Sequence, residues 1–351
     1  MRTRSGVGAA RGCVLVAVGA LVFGVPAVAS AGPAITQLAA LEAGAASGAW
    51  GINDAGVAVG WSNTSGTSHA VRWAPDGTAT DLGTLPGDTG SRATAISADG
   101  TVVGHSSSRD GNRAVRWAPD GTITELASLP GNAYCTAEAV TSAGTAAGHC
   151  STAYSVSTGR AVRWAADGTV TDLGTLPGDT ASSGLAINRD GTVTGWSTRP
   201  NGTQRAVRWS VDGTAAELPS LSGGEQSSAR GISDDGTIVG RVWVYRAGRG
   251  VNHAVRWNTD GTVTDLGTLP GATAAQSEAV ALNASGTIVG ESQTANGRYT
   301  AVRWAATGIA EDLGTLPNVS EGTITFATAI NGAGVVVGSS GGNAVRWTTT
   351  R

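Results

Sequence analysis

The chain has 351 residues, 40% of them hydrophobic, and a formal net charge of −3. That hydrophobic content supports a large core, and the acidic balance excludes a nucleic-acid binder, which needs a basic face to neutralise phosphates. All 23 basic residues are Arg and there are 53 Gly, a bias of GC-rich bacterial coding rather than of function.

The first 31 residues read as a secretory signal peptide. Arg2, Arg4 and Arg11 make a positive segment, an apolar run extends from Cys13 to Val28, and Ala29-Ser30-Ala31 is a small-residue cleavage site. The run is shorter than the roughly 20 residues of a bilayer span. A secreted, extracellular chain of residues 32–351 is therefore expected, with no membrane span after cleavage. It carries 20 Arg against 26 acids, a net of −6.

The rest is a repeat. Ala-Val-Arg-Trp ends at Trp73, Trp117, Trp164, Trp209, Trp257, Trp304 and Trp347, in steps of 44, 47, 45, 48, 47 and 43 residues. Each unit has four short segments. The first ends like Ala95-Ile96-Ser97, and the second resembles Thr101-Val102-Val103-Gly104. The third is Ala-Val-Arg-Trp, and the fourth resembles Thr80-Asp81-Leu82-Gly83-Thr84-Leu85. The segments are rich in Val, Ile, Thr and Trp and bounded by Asp-Gly and Pro-Gly, which is strand and hairpin chemistry. Four antiparallel strands in about 46 residues is the size of a propeller blade.

The ends supply the closure. The last unit stops three strands in, at Trp347, while Ala34-Ile35-Thr36-Gln37-Leu38 matches the missing fourth strand. The expected fold is all-β: a seven-bladed β-propeller of four-stranded antiparallel blades, closed by one N-terminal strand plus three C-terminal strands. An open solenoid has no reason to split a unit, and closure removes exposed edges.

Among candidate chemical residues, Cys135 and Cys150 flank one hairpin and replace Ser91 and Ser106 of the preceding unit, which predicts a structural cross-strand disulfide. The repeated Arg (Arg72, Arg116, Arg163, Arg208, Arg256, Arg303, Arg346) are expected to pair with the acids of the following strand, such as Asp81 and Glu125, across a short hairpin. The repeat tryptophans are expected in the core. The Asp-Gly segments lack the alternating oxygen ligands of a calcium loop, so they are read as turns, and no metal or cofactor motif is present.

Function should lie where the repeats differ. The position after the second-strand Gly runs Trp61, His105, His149, Trp196, Arg241, Glu291 and Ser339. It is either a binding face or a solvent-exposed strand end. The segment Arg241 to Gly250, with Trp243, Tyr245, Arg246 and Arg249, is either a ligand loop suited to a sugar or acidic polymer or a longer hairpin.

The units resemble the HAF family of extracellular repeats, named for a His-Ala-Phe triplet. His69-Ala70-Val71 and His253-Ala254-Val255 stand at its place, beside Asp-Leu-Gly-Thr-Leu-Pro-Gly and Ile-Asn-Asp-Ala-Gly stretches. The resemblance implies an exported repeat protein and no particular activity. The expectation is a non-enzymatic, monomeric binding module whose partner is a glycan or a cell-surface protein. The rivals are a propeller lyase or glycosidase and a structural envelope component. The enzyme requires His or Tyr, Arg and a carboxylate converging on one face, with Arg241, Tyr245 and His105 the first residues to inspect.

Overall fold

Each repeat folds into four strands because its apolar and β-branched segments are punctuated by glycines that accept turn geometry. Gly100, at φ 89°, closes the turn after Ile96, with its N–H donating to Ser97 O. In the Asp-Gly turns the aspartate side chain accepts a backbone N–H two residues on, as Asp76 does from Thr78. The computed structural model describes residues 33–154, 158–246, 248–272, 276–305, 308–320 and 322–348, with the side chain of Arg246 outside that set. The signal-peptide reading of residues 1–31 also lies outside it.

The described residues hold 28 strands and no helix. Consecutive strands of each repeat pair antiparallel in chain order. The terminal strand Ala34–Gln37 pairs with Asn343–Thr348, with Ile35 opposite Trp347, so the N-terminal strand completes the last repeat as its sequence predicts. The result is an all-β propeller fold of small antiparallel sheets. Five of the sheets are separate four-stranded sheets and one is eight-stranded, where seven separate ones were expected. The second and third repeats join through a single parallel bridge, Tyr134 to Asn112, with Asn112 N–H donating to Ala133 O.

The core lies between repeats. One cluster combines Val59, Ala70, Leu82 and Leu85 of the first repeat with Ala93, Ile96, Val102, Val115 and Trp117 of the second. The same arrangement continues to the closing seam, where Val337 and Ala344 pack on Leu38, Ala49, Val71 and Trp73. Each repeat tryptophan is at most 2% exposed, as expected of a wedge filling the gap between neighbouring sheets.

The repeated arginines correct the sequence expectation. In the first repeat Arg72 lies opposite Thr80 and Val71 opposite Asp81, which puts arginine and acid on opposite faces. Arg72 instead reaches the next repeat, donating to the carbonyls of Gly100, Ala118 and Pro119. Arg116, Arg163 and Arg346 do likewise. The acids pair diagonally with the residue three before each arginine: His69 with Asp81, Arg113 with Glu125, Arg160 with Asp172, Arg205 with Glu217 and His253 with Asp265. The triplet histidine is thus one of several bases filling the same structural position. Arg303 alone among the repeated arginines takes an acid of the following strand, Glu311 at 2.6 Å.

Candidate active site

The first strand of every repeat carries one residue too many. Its pairing with the second strand slips by one, leaving Trp50, Thr94, Glu138, Leu185, Arg230, Val280 and Thr328 in β-bulges. A bulge re-aims a side chain and is common beside active sites. These seven side chains all line one cavity of 400 Å³. The same bulge explains the second-strand glycine. A Cβ on Gly148 would lie 2.0 Å from Thr136 O, and one on Gly104 2.0 Å from Arg92 O.

Beside the bulge, the position singled out for its variability faces a second variable position across the strand pair. The opposed residues are Gly48 and Trp61, Arg92 and His105, Thr136 and His149, Ser183 and Trp196, Ser228 and Arg241, Glu278 and Glu291, Phe326 and Ser339. Around the second and third repeats these layers open a cavity of 480 Å³. It is lined by Trp50, Thr94, His105, Asn112, Tyr134, Thr136, Glu138, His149, Ser151, Ala153 and Tyr154. Trp50, Thr94 and Glu138 belong to both cavities.

The electrostatics of this region are asymmetric. Burial pushes the Glu138 carboxyl up to about 7, against the opposing pull of Arg230. Burial lowers His149 to about 4; burial, Arg92 and His149 together lower His105 to about 4. His149 Nδ1 lies 3.6 Å from Glu138 Oε1. Arg230 Nε and Arg241 Nη1 take the two oxygens of buried Glu278 at 2.7 and 2.9 Å. Glu291, opposite Glu278, is pushed up to about 7 by burial and then by that like charge. Arg92 lies over Trp61 and Trp50, its guanidinium carbon 5.1 and 5.8 Å from the ring centroids. A carboxyl that exchanges its proton near neutrality, two uncharged imidazoles and a cation on an indole pair are equipped for proton transfer on an anionic substrate. No group of three metal-ligating side chains occurs among the described residues.

Of the residues expected from sequence, Trp61 and Arg241 stand in this variable layer. Trp196 is in it but buried. The segment from Arg241 to Gly250 continues two strands, Ile238–Arg246 and Arg249–Trp257, as a long hairpin. Trp243 and Tyr245 follow Arg241 along it, their rings 6.0 Å apart, and Tyr245 and Arg249 are exposed. Cys135 and Cys150 form the expected cross-strand disulfide. Glu138, Arg92, Trp50, Tyr134, Arg230 and Glu278 were missed. Glu138 and its counterparts leave one signal, a variable residue between two small ones, as in Ala137-Glu138-Ala139 and Ala229-Arg230-Gly231.

No protein-family model matches the chain, and no curated protein matches it in sequence. Solved structures do match in fold. A streptogramin B lyase superposes with a TM-score of 0.57 at 15% identity, over 91% of this chain and 98% of the lyase. A catalytically inactive virginiamycin B lyase from Staphylococcus aureus with quinupristin gives 0.56 at 18%, over 91% and 100%. An oligogalacturonate lyase from Vibrio parahaemolyticus gives 0.59 at 11%, over 90% and 96%. At these identities the likeness is one of fold. The expectation of a non-enzymatic module is corrected: solved structures that share its fold are lyases, and here His105, His149, Tyr134, Tyr154 and Glu138 line one cavity. Of the residues named for an enzyme, His105 lines it and Arg241 and Tyr245 do not.

Proposed function

We propose that the chain is a secreted propeller enzyme of seven blades, the eight-stranded sheet being two blades joined at one bridge, and that it acts as a lyase on a glycan. The HAF-type repeats are its scaffold. Glu138 is the observation that carries the reading. It is a carboxyl on a bulge, aimed into the cavity, with its proton exchange moved up to about 7. General catalysis is most effective when the group's pKa lies near the working pH.

In the proposed step the Glu138 carboxylate takes a proton from the carbon α to a substrate carboxyl. A C=C bond forms, the C–O bond at the β carbon breaks, and the leaving oxygen takes the proton back from Glu138. His149 and His105, uncharged at neutral pH, serve as hydrogen-bonding partners rather than as rival cations. Tyr134 and Tyr154, ring centroids 5.9 Å apart in an edge contact, supply an aromatic wall of the kind that holds sugar rings.

The test is an array of polysaccharides and oligosaccharides incubated with residues 32–351, read for retained ligand and for the absorbance of a new conjugated C=C. The expected result is an unsaturated product that disappears with Glu138→Gln while retention persists. Saturated reducing ends alone would replace elimination with hydrolysis, and release unchanged by Glu138→Gln would sink the assignment of the site.

A further inference from the structure

The arginines near this site are not equivalent. Arg230 and Arg241 are spent on Glu278. Arg92 has no carboxylate within ion-pairing distance and donates no hydrogen bond among the described residues. Its contacts are the faces of Trp50 and Trp61, which are 6.5 Å apart and tilted by 59°. Its cross-strand partner is His105, which lines the 480 Å³ cavity, as does Trp50. The guanidinium sits over both indoles, and no described residue accepts a hydrogen bond from it.

A guanidinium presents paired N–H donors in a planar fork that fits a carboxylate. Holding it on two aromatic faces, without a counter-ion, removes much of the entropy that a free side chain loses on binding. We propose that Arg92, seated on Trp50 and Trp61, is a carboxylate-binding residue at the edge of this cavity, next to its lining residues Trp50 and His105, and that the ligand is an acidic sugar, a uronate, rather than a neutral glycan. The proposal deepens the lyase reading, because a carboxylate whose charge is met by Arg92 makes the adjacent C–H easier to deprotonate. Its test is independent of turnover.

Binding of galacturonic acid and of its methyl ester, neither carrying a glycosidic bond to cleave, is measured by calorimetry on residues 32–351. The acid is expected to bind and the ester to bind about 10- to 100-fold more weakly, the size of a charge-assisted pair. Arg92→Met should erase that preference, and Arg92→Lys should restore part of it, since charge is kept and the fork is lost. Equal binding of acid and ester by the native chain, a preference surviving in Arg92→Met, or equal competition by sulfate would each overturn the assignment. Acid-selective binding through Arg92 with no product from any glycan would uphold this inference and remove the lyase.

Discussion

His149 Nδ1 stands 3.6 Å from Oε1 of Glu138, although the two residues lie on different strands and His149 is paired with Thr136, two residues before the glutamate. Two residues on from Thr136, Glu138 keeps to the face that His149 shares, and as the extra residue of the bulge it is re-aimed toward the cavity.

Glu138→Gln keeps the shape and removes the exchangeable proton. With a glycan that is turned over, it should lower kcat by about 10²- to 10⁴-fold, the usual contribution of general acid–base catalysis, and leave KM nearly unchanged. The native kcat should rise with pH through about 7, where Glu138 ionises, and the histidines, lowered to about 4, should set no limb near neutrality. A pH limb that persists in Glu138→Gln would place the base on another residue.

The same groups tie stability to pH with opposite signs. Glu138 is raised above its unfolded value, so its contribution is complete below about 4.5 and is lost as pH rises through about 7. His105 and His149 are depressed, so theirs is complete above about 6.5 and is lost as pH falls through about 4. Each proton is worth about 1.4 kcal/mol per pH unit within its window. Urea midpoints from pH 4.5 to 7 should therefore show Glu138→Gln gaining on the native chain as pH rises. His105→Asn should gain as pH falls. Parallel curves for all three would refute the burial of these groups.

The fold was far more legible in the sequence than the site. Strand count, tryptophan burial, closure of Ala34–Gln37 on Asn343–Thr348 and the cysteine pairing follow from period, turn residues and alignment of repeats. The ring beginning at Trp61 was visible because it follows a recurring glycine. Glu138 and Arg230 were hidden because a one-residue bulge breaks the period-2 rule used to assign faces. The arginine–acid pairing failed for the opposite reason: the hairpin keeps strict register, Arg72 faces Thr80, and the acid falls on the other face.

That register error gives a stability contrast. Arg116 is drawn out of solvent, its guanidinium depressed by burial, and donates to the carbonyls of Gly144, Ala165 and Ala166 of the next repeat. Arg116→Met should cost about 2–3 kcal/mol by removing the donor to the Gly144 and Ala166 carbonyls, while Ala165 O keeps the Gly168 N–H. Glu125→Gln, which weakens only an exposed pair with Arg113, should stay within about 0.5 kcal/mol. Comparable losses would return the acid pairing to importance.

The disulfide links the packing between repeats to the strands of the site. In four other repeats the position is a serine pair that staples one repeat to the last, while the fifth has Ser227 opposite Val242 and the seventh Thr325 opposite Ser340. Ser91 Oγ accepts from Ala70 N–H and donates to Gly83 O, and Ser106 Oγ accepts from Leu85 N–H. Ser182 and Ser197 repeat the pattern. In the third repeat Cys135 and Cys150 bond to each other, so no hydroxyl serves Ala114 or Leu129, the counterparts of Ala70 and Leu85. Here the repeats are held by the Tyr134 to Asn112 bridge, and Cys150 and Cys135 immediately adjoin His149 and Thr136. A double Cys135→Ser, Cys150→Ser variant exchanges the covalent link for the staple used elsewhere. Closing a loop of this length is worth about 3 kcal/mol, and two regained hydrogen bonds return about 1 kcal/mol each. The serine variant should therefore lose only about 1 kcal/mol, and the double Ala variant about 3. Turnover should fall further than stability, because the strands that carry Glu138 and His149 are no longer covalently held. A serine variant as unstable as the Ala variant would show that the staple cannot form at this seam, and unchanged turnover would show that the disulfide holds the fold without holding the site.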